Sequence, residues 1–351
     1  MKAPRTAVTL KDIAEKSGVS TTTVSRILNK RESGIPIREE TRQRVVAVAA
    51  ELGYRPNLLA RGLRGSHSSM IGVIARDISD PFHIKVLRGI NEAAADRSYR
   101  LFLGHVDYRP DEAVAFGSMF EHWHADGIII IGDIEGDEPA LEVLMAQHRY
   151  IVGATDRVAR RKFPGVYVDN VLGTRLALEH LWNLGHRNII CVSYPQIEDG
   201  SLRVEVYRQY MREHDVEDKV RVFYTSQDLE PSYQVGQEIF ANFTGSGRPT
   251  AIFAASDAIA IGLLQAAYQS GITVPDQVSI VGFDNLDITP FTIPPLTTIS
   301  QLGTEMGRTA ANILLDMIKQ DLEASEVDDV VLKPTLIVRQ STSTPPPHFS
   351  G

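Results

Sequence analysis

From Met70 onward, short apolar runs alternate with longer segments of helical periodicity, and this alternation leaves few architectures open. The runs are MIGVIA, YRLFLG, GIIII, RYIVGA, NIICVS, VRVFY, AIFAA and VSIVGF. Between them lie amphipathic segments such as FHIKVLRGINEAAADRS, TRLALEHLWNLGH and DAIAIGLLQAAYQSG. Strands that alternate with helices form parallel sheets covered on both faces, with right-handed crossovers. About 270 residues exceed one ordinary open sheet, so the pattern predicts an α/β fold of two Rossmann-like lobes facing a cleft.

The first 66 residues follow another grammar. They carry 13 Lys+Arg against 6 Asp+Glu, whereas the whole chain has a net charge of −8. A basic head on an acidic body points to a polyanion-binding module, although a solvated basic surface would give the same count. Three short helices fit this head. The first begins at Thr9, with Asp12 three residues on, buries Leu10, Ile13 and Ala14, and ends at Gly18. The second, capped by Ser20, turns Val24, Ile27 and Leu28 inward. At 100° per residue, Thr21, Thr22, Ser25 and Arg26 fall on the opposite side. The third, roughly Arg38 to Leu52, packs through Val45, Val46, Ala49 and Leu52. Two helices joined by a glycine turn and braced by a third make a helix-turn-helix, whose second helix is small enough for a major groove.

Other function classes find little support. No run of about 18 apolar residues predicts a membrane span, and the N-terminal residues lack the apolar stretch of an export signal. The single cysteine, Cys191, lies in the apolar run NIICV and reads as a buried structural thiol. No GxGxxG, GxxxxGK[ST] or HExxH occurs, so neither an enzyme nor a cofactor is expected. His122 and His124 flank Trp123 without cysteine partners, and they read as surface or packing residues rather than a metal site. A solute-binding protein remains the alternative that the body alone would suggest.

Two head segments, VTLKDIAEKSGVSTTTVSRILN and ELGYRPNLLARGLRG, carry a specific likeness, as do IGVIARDISDPF, DNVLGTRLALEHLWNLGHRNI, SDAIAIGLL and VSIVGFDNLDITPFTIPPLTTI in the body. On these residues nearly the whole chain resembles the LacI/GalR family of bacterial transcriptional regulators. The resemblance implies a helix-turn-helix head over 1–53 and a hinge helix with linker over 54–69. A two-lobed periplasmic-binding-protein-like core for effector binding and dimerisation follows over 70–340. The end, STSTPPPHFSG over 341–351, reads from composition as a disordered tail. The implied role is a cytoplasmic repressor that binds double-stranded operator DNA as a homodimer under control of a small carbohydrate effector.

DNA contacts are then expected from Thr9, Ser20, Thr21, Thr22, Ser25 and Arg26 in the head, and from Asn57, Ala60, Leu63 and Arg64 in the hinge. Pro56 can open a helix, and the segment Asn57–Leu63 is too short to be stable alone in water. Leu63 matches the family's minor-groove wedge. In the core the resemblance assigns effector contacts to Asp80, Phe82, Arg203 and Asp284. Asp156 and Ser256 are read either as effector contacts or as members of a surface salt bridge or lobe-closing contacts. His83, His105 and Tyr108 fall near the mouth of the cleft. Two departures from the family pattern stand out: the long segment KRESGIPIREE between the second and third helices, and Val206 where the family has glycine.

Overall fold

Helix α1 (Leu10–Ser17) starts where the sequence provides a cap: the Thr9 amide donates to Asp12 Oδ2 at 2.7 Å, and the Asp12 amide to Thr9 Oγ1 at 3.4 Å. It stops at Gly18, whose φ of +67° is a conformation that side chains resist. Helices α2 (Thr21–Leu28) and α3 (Glu39–Glu51) close over Ile13, Ala14, Val24, Ile27, Val45 and Ala49. Lys16 Nζ lies 2.6 Å from Glu51 Oε1 and ties α1 to α3. One expected core residue is misplaced: Val46 is 50% exposed, and Val48 packs instead. The reason is helical phase, since Val45, Val48, Ala49 and Leu52 share one stripe and Val46 sits 100° away.

The computed structural model describes residues 8–28, 37–54, 68–132, 138–155, 162–195, 198–241, 243, 245 and 247–346. The hinge residues Asn57, Ala60, Leu63 and Arg64, most of the long segment after Asn29, and Asp156 lie outside them. The chain divides into two units, Met1–Ser68 and Ser69–Gly351.

The second unit has two six-stranded sheets. The first contains β1 (Met70–Ala75), β2 (Arg100–His105), β3 (Gly127–Ile131), β4 (Ile151–Thr155), β5 (Gly165–Val168) and β11 (Val330–Leu332). Its order is β11-β5-β4-β3-β1-β2, all parallel. The second contains β6 (Ile189–Ser193), β7 (Val222–Tyr224), β8 (Ala251–Ala254), β9 (Ser279–Asp284), β10 (Thr297–Ser300) and β12 (Thr335–Ile337). Its order is β12-β10-β9-β8-β6-β7, and β12 alone runs antiparallel. Strand order reverses beside β1 and beside β6, and crevices open at such switch points past the carboxyl ends of strands.

Helices α4 (Pro81–Asp96), α5 (Pro110–His122), α6 (Glu138–Gln147) and α11 (Gly303–Gln320) belong to the first lobe. Helices α7 (Asn170–Asn183), α8 (Glu198–Glu213), α9 (Leu229–Ala241) and α10 (Asp257–Gln269) belong to the second. The chain therefore passes between lobes three times: after β5, after β10 and between β11 and β12. Helix α11 returns to lie against α4 at backbone contact. A Cβ at Gly89 would stand 1.9 Å from the Thr304 carbonyl oxygen, and one at Gly307 1.9 Å from that of Val86.

The expected disordered tail is corrected over its first residues. Ser341 is fully buried: its hydroxyl accepts from the Thr297 amide at 2.8 Å and donates to the Ile280 carbonyl at 2.6 Å. The Ser343 amide donates to Ser279 Oγ at 3.0 Å. The composition is that of a tail, but these hydroxyls fill the backbone needs of β9 and β10. Residues 347–351 lie outside the described part.

Candidate functional site

In the head, Thr21 and Thr22 are exposed on α2, Ser25 and Arg26 are half-buried, and Val24 and Ile27 face the core behind them. Ser20 and Thr9 are exposed as well, but their side chains cap helices; the Thr23 amide donates to Ser20 Oγ at 3.1 Å. A surface of hydroxyls and one guanidinium on a short helix can meet base edges and phosphates.

The cleft lies at the carboxyl ends of both sheets, where a cavity of about 390 Å³ opens between the lobes. The first lobe contributes Arg76 and Asp77 past β1, Asp80, Phe82 and His83 at the start of α4, Tyr108 past β2 and Thr155 at the end of β4. The second contributes Tyr194 past β6, Asp199 and Arg203 on α8, Ser256 before α10, Asp284 at the end of β9 and Gln301 past β10. The structure thus brings Asp80, Phe82, Arg203, Ser256 and Asp284 together, while Asp156 is outside the described residues. Two of them also have local roles. Asp80 caps α4, accepting from the Phe82 amide at 2.8 Å, and Ser256 caps α10, accepting from the Ile259 amide at 3.3 Å.

Arg203 is 1% exposed and held on every side. Its Nε donates to Asn170 Oδ1 at 2.9 Å, and its Nη1 to the Ala255 carbonyl at 2.6 Å and to Tyr194 Oη at 3.1 Å. Asp199 Oδ2 stands 3.5 Å from Nη2. A guanidinium fixed in this way keeps its fork geometry without further loss of rotamer freedom. Asp284 accepts from Gln301 Nε2 and from the Asp257 amide, the latter at 3.2 Å. Burial raises the Asp284 pKa well above the usual carboxylate range, and the neighbouring charge of Asp257 raises it further. Burial also raises Asp257, opposed by bonds from Thr298 Oγ1 at 2.5 Å and the Leu286 amide at 2.8 Å. Two adjacent buried carboxyls resist double ionisation, so the pair favours holding a proton, against the pull of the nearby Arg203 charge.

Sequence reasoning missed Arg76, Tyr194, Asn170 and Gln301. Arg76 is 3% exposed, and its guanidinium carbon lies 5.5 Å from the centre of the Tyr108 ring. It packs over Gly132, at φ +83°, where a Cβ would come within 2.9 Å of the Arg76 Cβ. Gln301 follows the threonine-rich run TTIS, and reading that run as a strand would have put it on the cleft edge.

A sequence profile of bacterial regulatory proteins of the lacI family matches residues 9–57, and one for a periplasmic binding protein-like domain matches 178–342. The HTH-type transcriptional regulator DegA of Bacillus subtilis (strain 168) is 35% identical over 347 residues, covering 95% of this chain and 98% of that protein. The chain belongs to the lacI family. The crystal structure of the lac repressor dimer bound to operator and the anti-inducer ONPF matches with a TM-score of 0.83 and 26% identity, over 96% of this chain and all of that one. A LacI family transcriptional regulator from Enterococcus faecium with bound ribose matches with a TM-score of 0.70 and 27% identity, over 78% and 99%. As a lacI-family member, this chain is a DNA-binding transcriptional regulator with a ligand-binding domain. Among the described residues no helix is long and apolar enough to cross a membrane.

Proposed function

We propose that this regulator represses transcription in the cytoplasm, binding operator DNA as a homodimer, and that a small carbohydrate in the cleft sets its operator affinity. The cleft reading rests on Arg203: a buried guanidinium whose orientation is fixed before any ligand arrives, beside the buried carboxyl of Asp284. That pair suits vicinal hydroxyls, and Phe82 supplies an apolar face for a sugar ring. The likeness to a ribose-bound relative supports the ligand class, and the likeness to a repressor dimer on its operator supports the assembly. Exposed Ile288, Phe291 and Ile293, all on one loop of the second lobe, offer apolar surface for a second copy. Thr21, Thr22, Ser25 and Arg26 read base edges, Thr9 and Ser20 contact the backbone, and Asn57, Ala60, Leu63 and Arg64 serve the hinge.

The test is a calorimetric titration with a panel of neutral monosaccharides, sugar acids and nucleosides, paired with gel shifts on the DNA upstream of the gene. A neutral sugar that binds and changes the shift supports the proposal. Binding confined to the sugar acids or the nucleosides would overturn the ligand class, and absence of any shift would overturn the operator reading.

A further inference from the structure

The tripeptide Asn285–Asp287, which directly follows the cleft residue Asp284, is gripped from both lobes. From the first lobe, Lys85 Nζ donates to the Asn285 carbonyl at 2.6 Å and lies 3.0 Å from Asp287 Oδ1. Arg88, three residues on and so on the same face of α4, places Nη1 3.3 Å from Asp287 Oδ2. Between these polar contacts, Leu286 is 4% exposed and packs into the first lobe's core with Phe82. From the second lobe, Arg339 Nη2 donates to Asn285 Oδ1 at 2.8 Å. The Leu286 amide donates to Asp257 Oδ2. The backbone is at φ +129° at Asp284 and +55° at Asn285, so the turn is held rather than relaxed.

We propose that Lys85, Arg88 and Asp287 form an interlobe strap that positions Asp284 and carries rotation of α4 into the ligand cleft. The proposal rests on the reading of Asp284 as a ligand contact. Lys85 is mostly buried, while Asp287 is 62% exposed. An ion pair that exposed adds little to global stability. Its consequence is geometric. When α4 tilts against the second sheet, Lys85 draws the Asn285 carbonyl with it, and the next peptide along is that of Asp284. The Lys85 bond to Asp287 also holds the Asp287 carboxyl below the usual carboxylate range. Lys85 and Asp287 are thus positioning residues that need not touch ligand.

The test is made on the full chain without ligand, so its outcome does not depend on the effector's identity. Spin labels at Glu142→Cys in the first lobe and Tyr268→Cys in the second report the interlobe distance, with Cys191 buried and unlabelled. The parent should give a narrow distribution. Lys85→Met and Asp287→Asn should broaden it, Lys85→Arg should restore it, and amide exchange over residues 284–287 should quicken about tenfold in Lys85→Met. Parent-like distances and exchange in Lys85→Met overturn the strap. Asp287→Asn removes a largely exposed carboxylate, so it gives the same decision if Lys85→Met misfolds. If the distances respond as expected yet no sugar binds the parent, the strap stands and the ligand reading falls.

Discussion

The guanidinium carbon of Arg203 stands 3.8 Å from the centre of the Phe283 ring, and Phe283 immediately precedes Asp284 on β9. Helix α8 and strand β9 are thereby locked at the point where their two polar side chains enter the cleft. A cation over a desolvated ring adds to the hydrogen bonds that already fix it.

Arg203→Lys should therefore fail although it keeps the charge. A lysine cannot serve Asn170, Tyr194 and Ala255 at once, and each bond lost to a charged donor costs about 1.5–3 kcal/mol. The expected result is a lowered thermal midpoint and loss of calorimetric sugar binding. A variant with the parent's midpoint and affinity would show that the fork is dispensable.

The paired carboxyls predict an inverted pH response. Asp284 and Asp257 bind protons more tightly folded than unfolded, so their contribution is full below the ordinary carboxylate pKa of 3.8 and is lost as pH rises through their raised folded values, about 6 for Asp257. Asp284→Asn cannot ionise and should gain stability relative to the parent between pH 5 and pH 8. Urea midpoints of parent and variant, compared at each pH, isolate this from His186, whose pKa burial pushes down to about 4 and whose contribution has the opposite sign. An unchanged difference between the two pH values would contradict the shared proton.

Deleting residues 341–351 should destabilise the protein. The cut exposes the Thr297 amide and the Ile280 carbonyl that Ser341 satisfies, at about 1–3 kcal/mol for each buried group left unpaired. Chemical denaturation should show a lower midpoint, and a deletion as stable as the parent would make the Ser341 contacts with β9 and β10 incidental.

Arg26→Ala should lower specific operator affinity by about 1–3 kcal/mol while leaving the head folded, because its neighbours Val24 and Ile27 hold the core of α2. A filter-binding titration checks this, and equal affinity for parent and variant would remove Arg26 from base readout.

Eight strands were readable because each is a run of apolar residues bounded by turns. Strands β5, β10, β11 and β12 have only three or four residues each, and β10 is half threonine, so periodicity has little to act on; β7 and β8 are as short but stand in the five-residue runs VRVFY and AIFAA. Asp284 and Arg203 were found through the family likeness, not through spacing. Gln301 and Tyr194 each directly follow a strand, a signal that places them at the cleft edge, whereas Asn170 owes its place beside Arg203 to tertiary convergence. Val46 lies in a run of six apolar residues, Val45 to Ala50, which cannot all face inward from one helix; Val48 completes the stripe of Val45, Ala49 and Leu52.

The three crossings between lobes also set the order in which the molecule can form during synthesis. The first lobe has all but one of its strands once Val168 has been made, yet α11 and β11 come from residues 303–332. At ribosomal speeds of about 5–20 residues per second, its core waits roughly ten to thirty seconds for that last helix and strand. During that interval the face of α4 that carries Val86 and Gly89 lacks the helix it packs against, so its apolar surface stays open until residues 303–320 have been made.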